Sequence, residues 1–229
     1  MIEHIDNNKG QLRLISEKSF PVWSIVHYLN RLSTTYLKLL TIERVCEALA
    51  DGCYDQDLLV AEESAKLIST EPFIHEKEAP YKILANKGED YKEFWKIIKS
   101  HHRPVVFRRQ GNKFLPLINL PNDDLIIKKL TVTSPPDITV TGVGSTLTDL
   151  YYAGEREERH RQDHANRQIG QTARNIGDIA SAHAMLNNPN LSLGMKAYLE
   201  TLIIGLVDRQ DGLNREMGLS PPKNVNEVT

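Results

Sequence analysis

The sequence predicts an α+β protein: a small, mostly antiparallel sheet of four or five strands covered by helices, followed by a long charged helix and a C-terminal helical hairpin. Three observations lead there. Apolar residues at Val22, Ile25, Val26, Leu29, Leu32, Tyr36, Leu39, Leu40, Val45 and Leu49 keep a three-and-four spacing, the period of an amphipathic helix. Between Val105 and Thr141, short runs of β-type residues alternate with turn signals. From Glu155 to Gln168 the chain holds one alanine and no larger apolar residue, so a helix there has no face to seat on a core and must project into water or meet complementary charge.

In chain order, Gln11 to Ser16 alternates through Leu12 and Leu14 as a strand. Ser19 and Pro21 open the first helix, where the missing N–H of proline is harmless. Asn30 and Ser33-Thr34-Thr35 are poor interior residues, so a break near position 33 is allowed. Its solvated face should carry Arg31, Lys38, Glu43, Arg44 and Glu47. Asp51-Gly52 stops it. Asp57 is expected to start a second helix that runs to Ile68, and Glu89 to Ser100 a third, burying Tyr91, Phe94, Trp95 and Ile98.

Val105 to Phe107 begins a hairpin that turns at Gln110-Gly111-Asn112-Lys113 and returns through Phe114 to Ile118. Leu125 to Thr133 is the next strand. Asp137 to Thr141 follows, with Ile138 and Val140 on a buried face and Asp137, Thr139 and Thr141 on the other. Gly142-Val143-Gly144 then reads as a turn, and Thr146 with Asp149 as a capping box opening a helix. Such a junction can hold an anion, although Leu147 replaces the third glycine of a dinucleotide fingerprint. The apolar stripe resumes at Ile169, Ala173, Ile176 and Ile179. Asn187 to Asn190 turns, and Ser192 caps a last helix that folds back as the hairpin. The organisation expected is an α+β domain over residues 1–144, a long helix plus hairpin over 145–210, and a disordered tail over 211–229.

The chain has 229 residues, 40% of them hydrophobic and 25% charged, with a formal net charge of −2, so overall charge selects no polyanionic partner. Cys46 and Cys53 form no CxxC and read as apolar residues in a reducing, cytoplasmic setting. No apolar run approaches the roughly 20 residues of a membrane span.

Nothing here amounts to a catalytic signature. Glu157, His160, Asp163 and His164 have ligand spacing on one helix face, but the second Glu-x-x-His of a di-iron bundle is missing, so a salt-bridged solvated helix is the simpler account. A basic interval with interleaved aromatics includes Lys99, Arg103, Arg108, Arg109 and Lys113, which on a hairpin beside a helix end can meet a phosphate backbone. The expectation is a non-catalytic interaction or assembly protein with no cofactor. Ile169, Ile176, Ile179, Leu202, Ile203 and Leu206 would dock a protein partner or a second copy. A nucleic-acid or nucleotide-binding accessory subunit is the first alternative, and a metal-dependent enzyme using the 157–164 helix the second.

Overall fold

A computed structural model of the chain describes residues 9–16, 19–61, 81–84, 91–111, 113–118, 123–131, 137–143, 146–147, 188–218 and 225–227. The described strands form two four-stranded antiparallel sheets rather than one. In the first, the order is β6 (Ile126–Thr131), β7 (Asp137–Val143), β1 (Lys9–Ile15) and β8 (Val225–Glu227). Lys9 lies opposite Val143 and Ile15 opposite Asp137, while Gly10 to Leu12 pair with β8 on their other side. In the second, the order is β3 (Tyr81–Ile83), β2 (Leu58–Ala61), β4 (Val106–Gln110) and β5 (Lys113–Pro116). Three long helices accompany them among the described residues: α1 (Val22–Ala50), α2 (Tyr91–Ser100) and α3 (Leu193–Glu216).

One core joins both sheets through α1. Leu14, Ile138 and Val140 from the first sheet and Leu58, Val60 and Val106 from the second share a cluster with twelve residues of α1, from Ile25 to Leu49. The helix does not break near position 33. The hydroxyls of Thr34 and Thr41 instead donate to the carbonyls of Asn30 and Leu37, satisfying themselves within the helix. From Thr34 to Glu43 every residue is buried, so the expected solvated face is absent at Lys38 and Glu43. A helix enclosed on all sides needs no polar stripe.

The end of α1 is closed twice. Gly52 at φ 85° completes a left-handed cap in which the N–H of Cys53 donates to Ala48 at 2.9 Å and that of Gly52 to Leu49 at 3.2 Å. Asn188 and Asn190, from the loop before α3, donate their side-chain amides to the carbonyls of Cys46 and Leu49 at 3.0 and 2.7 Å. These serve last-turn acceptors that a helix leaves open.

Several expectations need correction. No helix starts at Asp57: Asp55–Asp57 is a single 3-10 turn, and Leu58–Ala61 is a strand. Its four residues are all buried because Leu58 and Val60 face the main core, while Leu59 and Ala61 meet Phe107 and Phe114 in a second cluster. Strand β7 is buried on both faces, Thr139 and Thr141 included, and Gly142 lies within it rather than in a turn. A Cβ on Gly142 would stand 2.8 Å from Tyr36 Oη, so close approach of the α1 tyrosine, not a left-handed backbone, requires glycine there. Gly212 sits inside α3, and Val225–Glu227, placed in the expected tail, adds a strand beside β1. Ser192 caps α3 as anticipated, its hydroxyl accepting from the Met195 N–H at 3.2 Å. The antiparallel partner expected for α3 falls in residues 151–187, outside the described residues.

Candidate functional site

The candidate residues fall into four groups. Glu157, His160, Asp163 and His164 lie outside the described residues, as do Ile169, Ile176 and Ile179. Among the described residues no group of three or more potential ligands is placed to hold a metal ion.

Leu202, Ile203 and Leu206 were expected to offer apolar surface on the last helix. They are instead buried within the chain's own core, with Met195, Leu199 and Val207 beside them. The inward face of α3 is held to α1 by a buried polar network as well. Tyr28 Oη donates to Asn214 Oδ1 at 2.8 Å, and Gln210 Nε2 donates to Asn214 at 3.1 Å. Burial and loss of hydration push the Tyr28 hydroxyl well above the ordinary tyrosine range.

The basic interval is divided. Arg103 is paired with Asp124 at 2.6 Å. Arg108 and Arg109 point to opposite sides of β4, as the strand period requires. Arg108 is half-buried beside the Cys53 thiol, which stays raised because burial outweighs the guanidinium. Arg109 is exposed over the Phe114 ring, 5.6 Å from its centroid, and Lys113 is exposed next to the Gly111 turn at φ 62°. Lys99 belongs elsewhere, at the end of α2.

Two features escaped the sequence reading. The first is the start of α1, where Val22, Trp23 and Val26 are 63%, 72% and 59% exposed. The apolar period of the helix continues into these turns, so nothing local marked them as uncovered. The second is Lys38, placed by its charge on the solvated face but only 6% exposed. Its ammonium donates to the carbonyl of Lys99, and burial first, then Arg209, Arg31 and Lys99, lower its pKa to about 8.

The glycine junction offers no open anion cradle in its described part. The N–H of Val143 donates to Tyr36 Oη at 2.8 Å, and Thr146 donates its hydroxyl to the buried carboxylate of Glu43 at 2.9 Å. Nor is thiol chemistry favoured at Cys46, where burial raises the pKa and suppresses the thiolate. Both cysteines are free. No described helix is long and apolar enough to cross a membrane. No known family pattern, no curated protein and no solved structure matches this chain.

Proposed function

We propose that this chain is a non-catalytic interaction or assembly protein that docks a protein partner or a second copy of itself. The observation that supports this reading is the uncovered apolar turn of α1: Trp23, flanked by Val22 and Val26, stands in solvent at the start of a helix whose middle, from Thr34 to Glu43, is wholly buried. Contiguous exposed apolar groups centred on a tryptophan are the usual anchor of a protein interface. The helical stretch expected over residues 145–210 enters the proposal through Ile169, Ile176 and Ile179, on sequence pattern alone.

The test is the mass of the native particle, measured by sedimentation on purified protein and in extract of the cell that makes it. A particle larger than the 26.0 kDa chain, returned toward that mass by Trp23→Ser, is the expected result. Monomer mass in both settings removes the reading.

A second reading, contact with nucleic acid or a nucleotide, is favoured by Arg109 and Lys113 standing exposed on one hairpin. Binding that weakens steeply with salt and is lost in the Arg109→Ala, Lys113→Ala double variant is its signature. Indifference to salt removes it.

A further inference from the structure

The first sheet ends differently on its two sides. At one edge lies β8, three residues long; at the other lies β6, six residues long and without a proline. Among the described residues nothing pairs with the outer edge of β6, whose ladder is bonded to β7 alone. The edges of the second sheet are shorter. β3 has three residues and β5 four, the last of them Pro116, which cannot donate to a further strand.

The register shows that the covering layers stop one strand short of β6. Ile127 lies opposite Val140 and Leu130 opposite Ile138, so both stand on the core face of the sheet, while Ile126, opposite Thr141, stands on the other. Val140, Ile138 and Thr141 are buried, whereas Ile126, Ile127 and Leu130 are 40%, 46% and 41% exposed. A register irregularity between Ile127 and Lys129 leaves Lys128 without a partner on β7 and exposed. No carboxylate among the described residues forms an ion pair with it.

Part of this is protection, since lysines and bulges on an edge discourage indiscriminate strand pairing. Protection gives no reason for three of the six residues to be large aliphatic groups open on both faces. An added strand would use the outer backbone groups of β6 and cover those three side chains with its own. The charge selects which strand. A second copy paired along β6 would bring Lys128 and Lys129 of both chains into one short ladder, where like charges repel. A strand with carboxylates among its apolar residues meets them with the opposite sign.

We propose that β6 receives an extended segment of a protein partner, acidic and apolar in alternation, as a further strand of the first sheet. This rests on the interaction reading and gives it a surface other than the Trp23 turn.

The probe is a short, end-blocked peptide of alternating valine and glutamate, titrated calorimetrically into the full chain, with hydrogen exchange followed across Ile126–Thr131. Saturable binding of one peptide per chain is expected, with protection gained by the β6 amides. The same peptide with lysine for glutamate should bind about tenfold more weakly, and Lys128→Glu should reverse that preference. Leu130→Asn should weaken the acidic peptide by about tenfold, the loss of one covered leucine side chain. Lys113→Gln, on the second sheet, should leave it unchanged. Absence of saturable binding by the folded wild-type chain overturns the proposal. So does equal binding of the peptide N-methylated throughout, which keeps its side chains but cannot donate to a strand. Protection of every β6 amide in the peptide-free chain overturns it too, because the edge is then closed by the chain itself or by a second copy. A native particle that Trp23→Ser reduces in mass, with no peptide held at β6, removes this inference and leaves the interaction reading standing.

Discussion

The two halves of α1 invert the usual relation between hydropathy and burial. Its first two turns leave Val22, Trp23 and Val26 in water, while its middle encloses Lys38 and Glu43, five residues apart. The two buried charges are also treated differently. Glu43 accepts a hydroxyl from Thr146, a conventional hydrogen bond to a carboxylate. Lys38 donates instead to a main-chain carbonyl, that of Lys99. What surrounds a residue, rather than what the residue is, decides whether it is buried.

The difference can be broken at its strongest point first. Gly142→Val would place a side chain against Tyr36, whose hydroxyl accepts from Val143 and donates to the Asp123 carbonyl at 2.9 Å. Overpacking together with disruption of that pair should lower unfolding stability by about 3 kcal/mol in a urea titration. Thr146→Val leaves the enclosed Glu43 carboxylate short of a donor, a loss of about 2 kcal/mol by the same measurement. An unchanged midpoint would mean that Glu43 is not enclosed.

Lys38 gives a pH signature. Its folded pKa of about 8 lies below the ordinary 10.5, so the penalty for burying the ammonium is complete below pH 8. Between those values the unfolded chain binds more protons than the folded one, and stability gains with rising pH. Relative to Lys38→Met, the wild type should therefore gain on the order of 1 kcal/mol from pH 7 to pH 10. The charges that act on Lys38 besides its burial are those of Arg209, Arg31 and Lys99. Cys46 and the buried tyrosines Tyr28 and Tyr36 have raised values and pull the other way at alkaline pH, which the comparison with the variant cancels. The smallest effect belongs to the other half of the helix. Trp23→Ser should change the stability of the monomer by no more than about 0.5 kcal/mol. A larger, concentration-dependent loss would show that the turn is covered in an oligomer.

Much of the local structure was legible. The β4–β5 hairpin appeared around its glycine, α2 with its four buried residues, and the Ser192 cap at its position. These follow from period and turn chemistry within a dozen residues. The strand at Leu58–Ala61 was missed because a short, wholly apolar run suits a buried strand and a helix equally. The candidate site was hardly legible. Lys99 was singled out for its neighbours in sequence, yet in space its carbonyl accepts from Lys38, a residue whose charge alone suggests a solvated face.

Residue order decided, unaided, where most of the strands and helices begin and end, because capping, turn conformation and side-chain period act between near neighbours. Tertiary structure alone decided that two sheets share α1, that Gly142 makes room for Tyr36, and that the Lys38 ammonium reaches the carbonyl of Lys99. Each of these joins segments dozens to hundreds of residues apart, and the burial that results is a property of the packed assembly, on which local pattern carries no information.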